Sequence, residues 1–136
     1  MTGLTWNRIK HDVKVDKMNE QHKLLFNILD SLYKAMENKD DRNALVKIIN
    51  DLITYSKQHL TTEEALLEKY DYPELAEQKE QHKLFIAKIE EFKEDFRKNH
   101  FMLHFNMAIF LKTWISNHIE VLDKKYSQFL NDRGVF

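Results

Sequence analysis

Six residues of metal-binding type are spread along the chain: His22, His59, Glu63, His82, His118 and Asp123. Imidazole nitrogen and carboxylate oxygen without sulfur suit iron, manganese or zinc better than copper(I) or an iron–sulfur cluster. The chain has no cysteine, which removes disulfides, thiolate metal sites and cysteine nucleophiles together. His59 and Glu63 are four apart, one turn from each other on one helix face. His118 and Asp123 are five apart, about 140° out of phase on an ideal α-helix. Such a pair cannot aim at one atom, but it can flank a wide cluster, and a second metal would supply that width. Taken singly, a helical histidine is more often a surface or satisfied core residue, and a His-x-x-x-Glu pair is more often a solvated one. Ionised groups are costly to bury unless paired or metal-bound, so six in one interior layer would point to metal.

The elements that must bring them together are helices. The chain of 136 residues has two glycines and one proline, well under the usual shares of about 7% and 5%. So few turn formers favour a small number of long helices. After an arm at 1–15, apolar residues at Leu25, Ile28, Leu29, Leu32 and Met36 predict a helix over about 16–38, with Asp16 as its N-cap. The polar stretch NKDD (38–41) breaks it, with Asp40 or Asp41 as the next cap. A second helix over about 41–70 carries Leu45, Ile48, Ile49, Leu52, Ile53, Leu60, Leu66 and Leu67. Pro73 fits the first turn of a third helix, about 73–97, which carries Leu84, Phe85, Ile89, Phe92 and Phe96. RKNH (97–100) precedes a fourth, about 102–131, which stops before Gly134. Short connections make neighbours antiparallel, so the expected fold is all-α, an up-down-up-down four-helix bundle forming one domain over 1–136.

In that topology the six residues fall at roughly 9–20 Å from the same end of the bundle, at 1.5 Å per residue. The chain also echoes itself. EQHKLLF (20–26) resembles EQHKLF (80–85), and HLTTEEALLEKY (59–70) resembles HIEVLDKKY (118–126). Each half supplies two histidines and one carboxylate.

Composition narrows the function further. A formal charge of -1 without a Lys/Arg cluster argues against nucleic acid. No apolar run approaches the roughly 20 residues of a membrane span, and the N-terminus has no apolar signal core. The expectation is a soluble, cytoplasmic protein. Bundle di-iron oxidases of the ferritin-like type use more carboxylate than histidine. Here neutral imidazole dominates, which stabilises the lower oxidation state and favours a ferrous site that can lend oxygen electrons and take them back.

Four segments together resemble the hemerythrin family in its single-domain bacterial form: DKMNEQHKLLF (16–26), HLTTEEALL (59–67), YPELAEQKEQHKLF (72–85) and WISNHIEVLDKKYSQFL (114–130). The resemblance spans residues 6–129. It implies two iron ions, Fe2+ or Fe3+. His22 and His59 would hold the iron that binds oxygen, and His82 and His118 the other. Glu63 and Asp123 would bridge them with an oxo or hydroxo group, oxygen being bound as hydroperoxide. Leu25, Leu60, Trp114 and Ile119 sit where the family lines its oxygen pocket; ordinary core is the alternative for each.

The chain departs from the family at one place. Where the family has His-x-x-x-His on the third helix, Gln78-x-x-x-His82 stands here. Gln78 either coordinates through its amide oxygen, or hydrogen-bonds to bound water and leaves a position open. His11, His100 and His104 fall outside the family's ligand positions; His100 and His104 read as surface or cap residues, while His11, in the arm, is a remote candidate to approach the metal end in place of Gln78. The leading expectation is an oxygen-binding protein for storage, delivery or sensing rather than an enzyme. The alternative is a di-iron oxidase or peroxidase, or an NO-reactive protein, using a position that Gln78 leaves open to NO, peroxide or small anions such as azide.

Overall fold

The computed structural model describes residues 4–38 and 42–136, and every regular element among them is helical. A short helix α1 (Arg8–His11) lies in the arm, and α2 (Asp16–Glu37) is the first bundle helix. The second bundle helix comprises α3 (Arg42–Tyr55), a π-helical turn (Ser56–Leu60) and α4 (Thr61–Lys69). The third is α5 (Leu75–Arg97). The fourth comprises α6 (Leu103–Trp114), a π-helical stretch (Ile115–Leu122), one 3-10 turn (Asp123–Lys125) and α7 (Tyr126–Asn131). The expected four-helix bundle is therefore present, with two of its helices locally underwound and widened.

The helix ends refine the expected boundaries. Asp16 is the first helical residue rather than the N-cap, a position held by Val15. Asp16 there adds a carboxylate to the first turn, which the helix dipole favours. Pro73 precedes α5 by two residues instead of lying in its first turn. The reason is the ending of α4: Asp71 takes φ 56°, and Tyr72 and Asp71 donate their N–H groups to the carbonyls of Leu67 and Glu68. This is a Schellman ending with a non-glycine left-handed residue, sealed by Leu67 and Tyr72 in one apolar cluster. Asp40 and Asp41 lie outside the described residues.

The arm is built into the bundle. Val13 and Val15 are buried, and Asn19 clamps the segment, accepting from the Val13 N–H and donating to Asp12. Lys124 donates to the Ile9 carbonyl. His11 is consequently held by the docked arm against Glu120 instead of joining the metal-type layer. It is buried, packs edge-on against Phe26 and lies 3.4 Å from Glu120. His100, at the other end, is exposed and accepts from the Met102 N–H, and His104 is half-buried.

Two apolar clusters fill the interior. The larger runs from Leu103 and Leu45 to Leu25, Leu60, Phe85 and Ile119. The smaller joins Val13, Met18, Leu67, Tyr126 and Leu130. On each helix the metal-type residues fall in sequence between a member of one cluster and a member of the other. A polar layer is thus sandwiched between two dry ones, where unpaired charge is expensive.

Candidate metal centre

All six residues read from the sequence are buried and meet in that layer. Glu63 is at the middle. Its Oε2 faces His59 Nε2 at 3.4 Å and His22 Nε2 at 3.7 Å. Its Oε1 faces His82 Nε2 at 2.9 Å and His118 Nε2 at 3.7 Å. Asp123 repeats the division: Oδ2 lies 3.1 Å from His22 Nε2 and Oδ1 lies 3.1 Å from His118 Nε2. Each carboxylate therefore turns one oxygen to each half of the site.

The phase problem of His118 and Asp123 is resolved by the backbone. On an α-helix residues five apart diverge, which was the expectation. Ile115–Leu122 instead winds as a π-helix, whose i→i+5 repeat stacks residues five apart. The two side chains consequently approach to 3.1 Å. The π turn Ser56–Leu60 likewise contains His59.

The fit to metal is chemical as well as geometric. His22 Nε2, His118 Nε2 and Asp123 Oδ2 are buried without an aligned hydrogen bond, although nitrogen and oxygen are close. Lone pairs that face a shared centre rather than one another have this arrangement, and cations satisfy it. Donor atoms of His22, His59, Glu63 and Asp123 fall within 4.8 Å of one another, as do those of Glu63, His82 and His118. Two overlapping sets joined by Glu63 match the requirement of a dinuclear centre.

Three residues that the sequence did not single out support the layer. Gln21 Oε1 is 2.7 Å from His59 Nδ1, and Glu64 Oε2 is 2.7 Å from His82 Nδ1. Accepting from Nδ1–H fixes the tautomer that leaves Nε2 free for metal. Tyr126 donates to Glu63 Oε2 at 2.8 Å. The signals were adjacency to His22 and Glu63, and the Lys-Tyr that closes both halves of the repeat. Gln78 is fully buried and donates from Nε2 to Asp123 Oδ1 at 2.9 Å.

Electrostatics in the metal-free chain follow from this crowding. Burial opposes charge on His22, yet Asp123 and Glu63 outweigh it and push the imidazole up to about 9. His118 goes up to about 10 by the same balance, with Asp123 the stronger partner. Burial holds His59 below the usual imidazole value despite Glu63. Burial would raise Glu63, but His59 and the neighbouring imidazoles hold it well below the carboxylate range.

Leu25, Leu60 and Ile119 are buried beside the ligand-type residues in the larger cluster. Trp114 stacks on His118, with ring centroids 4.0 Å apart and planes 11° apart, and also touches Phe85.

Comparison with known proteins agrees with this geometry. The family model described as the hemerythrin HHE cation binding domain matches residues 13–130. A bacteriohemerythrin of Clostridium acetobutylicum is 31% identical over 121 residues, covering 85% of this chain and 92% of that protein. A bacteriohemerythrin of Methylococcus capsulatus is 24% identical over 96% of this chain and 99% of its own length. A myohemerythrin of Riftia pachyptila is 30% identical over 84% and 83%. The crystal structure of a wild-type hemerythrin superposes with a TM-score of 0.83, covering 92% of this chain and 95% of that one, at 24% identity. The chain belongs to the hemerythrin family, whose members bind a di-iron centre, and the buried His, Glu and Asp clusters needed to hold such a centre are present here. Among the described residues no helix is long and apolar enough to cross a membrane.

Proposed function

We propose that this chain binds oxygen reversibly at two irons, His22 and His59 holding the iron that takes oxygen and His82 and His118 the other. Glu63 and Asp123 would be shared between the two sides. The observation that carries the reading is that both carboxylates face both histidine pairs, one oxygen to each. Iron held by these residues would supply reversible two-electron chemistry toward oxygen.

The chain's own residues do the rest. Gln21 and Glu64 orient two of the imidazoles, and Tyr126 anchors Glu63. Leu25, Leu60, Trp114 and Ile119 keep the layer dry, which restrains the loss of charged, reduced oxygen species to water. The ligand set carries only two carboxylates, which leaves the ferrous state accessible.

The test is anaerobic reconstitution with Fe(II), measurement of iron per chain, then exposure to oxygen. Two irons and a long-lived visible charge-transfer band that fades on deoxygenation support the proposal. Rapid, irreversible oxidation with turnover of added peroxide would instead favour an oxidase or peroxidase.

A further inference from the structure

Gln78 occupies the turn before His82 on the same face of α5. A primary amide carries two N–H donors and a carbonyl oxygen, and burying it is costly unless these are used. Gln78 is fully buried, and its two ends are in different situations. Nε2 donates to Asp123 Oδ1 at 2.9 Å. Oε1 is buried and accepts no hydrogen bond from any described residue. The orientation is not arbitrary: turning the amide over would set its oxygen against a carboxylate oxygen at the same distance, which is repulsive.

The oxygen that Gln78 grips is also the one facing His118 Nε2 at 3.1 Å. A cation held between Asp123 Oδ1 and His118 Nε2 is therefore next to the amide, and Oε1 is an unspent donor beside it. Building on the di-iron reading above, we infer that Gln78 is the seventh protein ligand. Nε2 moors the side chain on Asp123, and Oε1 coordinates the metal of the His82–His118 pair.

The two halves then differ in donors. His82, His118 and Gln78 serve one metal, and His22 and His59 the other, with Glu63 and Asp123 shared. The side with fewer protein donors is the one left accessible to an exogenous ligand. A neutral amide replaces a neutral imidazole, so the total charge is unchanged, while the weaker donor holds this metal less tightly than a third imidazole would.

The experiment is anaerobic titration of the metal-free protein with Fe(II) against a competing chelator, comparing the native chain with Gln78→Ala, Gln78→Leu and Gln78→His. Gln78→Leu keeps the volume if Gln78→Ala fails to fold, as judged by circular dichroism. The expected result is a loss of about tenfold or more in the affinity of one of the two irons on removing the amide, with recovery in Gln78→His. Unchanged affinities in Gln78→Ala and Gln78→Leu overturn the inference. Equal loss in all three variants also overturns it, because that outcome assigns the effect to the N–H on Asp123 alone. Fewer than two irons in the native chain would sink the di-iron reading itself, a result visible before any variant is made.

Discussion

Tyr126 reaches from the last helical segment of the bundle to Glu63 on the second helix and donates its phenolic proton across 2.8 Å. Both residues are fully buried, so this donor is not replaced by solvent. Hydrogen bonds to buried charged groups contribute about 1.5–3 kcal/mol. Tyr126→Phe is expected to lower the stability of the metal-free protein by that amount in urea denaturation. Because Glu63 faces both histidine pairs, the variant should also weaken both irons in a chelator competition. An effect confined to one iron would contradict the central place of Glu63.

Gln21 and Glu64 act one step further out, each on a single imidazole. Loss of such outer partners typically reduces metal affinity 10–100-fold. Gln21→Ala should weaken the iron held by His59, and Glu64→Ala the iron held by His82, with the charged Glu64 having the larger effect. Stepwise Fe(II) titration separates the two. Equal weakening of both irons by either variant would be the wrong outcome.

The imidazoles make stability depend on pH, with a definite sign. His22 and His118 are raised above the ordinary value of 6.5, to about 9 and about 10 in the metal-free chain. Groups raised on folding contribute stability that is complete below 6.5 and is lost as pH climbs through the folded values. Metal must displace these protons in order to bind. The unfolding midpoint of the metal-free protein should therefore fall between pH 7 and 10 more steeply than that of the iron-loaded protein. Loading at pH 7 should release protons, detectable with an indicator dye in weak buffer. Parallel stability profiles would refute the linkage.

Trp114 lies flat against His118 and edges onto Phe85. Truncating a buried tryptophan costs about 3–5 kcal/mol. Trp114→Ala should reach that range in chemical denaturation, and the oxygenated protein should oxidise irreversibly sooner, because water gains access to the polar layer. Trp114→Phe keeps a stacked ring and should lose less on both measures.

Much of this was legible in the sequence because helices repeat simply. Apolar spacing located four helices to within a few residues, and height along them brought His22, His59, Glu63, His82, His118 and Asp123 to one level. What escaped was set by tertiary contact or by departures from the α-helix. The burial of His11 depends on how the arm docks against Phe26 and Glu120, and no local pattern encodes that. In the sequence Tyr126 stands only as the last residue of the repeated segment 118–126, and nothing there shows that it reaches Glu63. The five-residue gap between His118 and Asp123 was visible, and it was read as divergence because a period of 3.6 was assumed. The gap was itself the trace of the π stretch.

Those wider turns have a consequence for how the chain can vary. A π turn is in effect an α-helix holding one residue too many, so everything beyond it is rotated by about 100° relative to an uninterrupted helix. Met107 and Leu111 before the stretch, and Tyr126 and Leu130 after it, all point inward because the wider turns absorb the surplus. Deleting one residue from the stretch ahead of His118 would regularise the helix and leave both flanks facing inward, but it would set His118 and Asp123 about 140° apart. The surplus residue thus serves the polar layer alone: the apolar flanks could do without it, and the meeting of His118 with Asp123 could not.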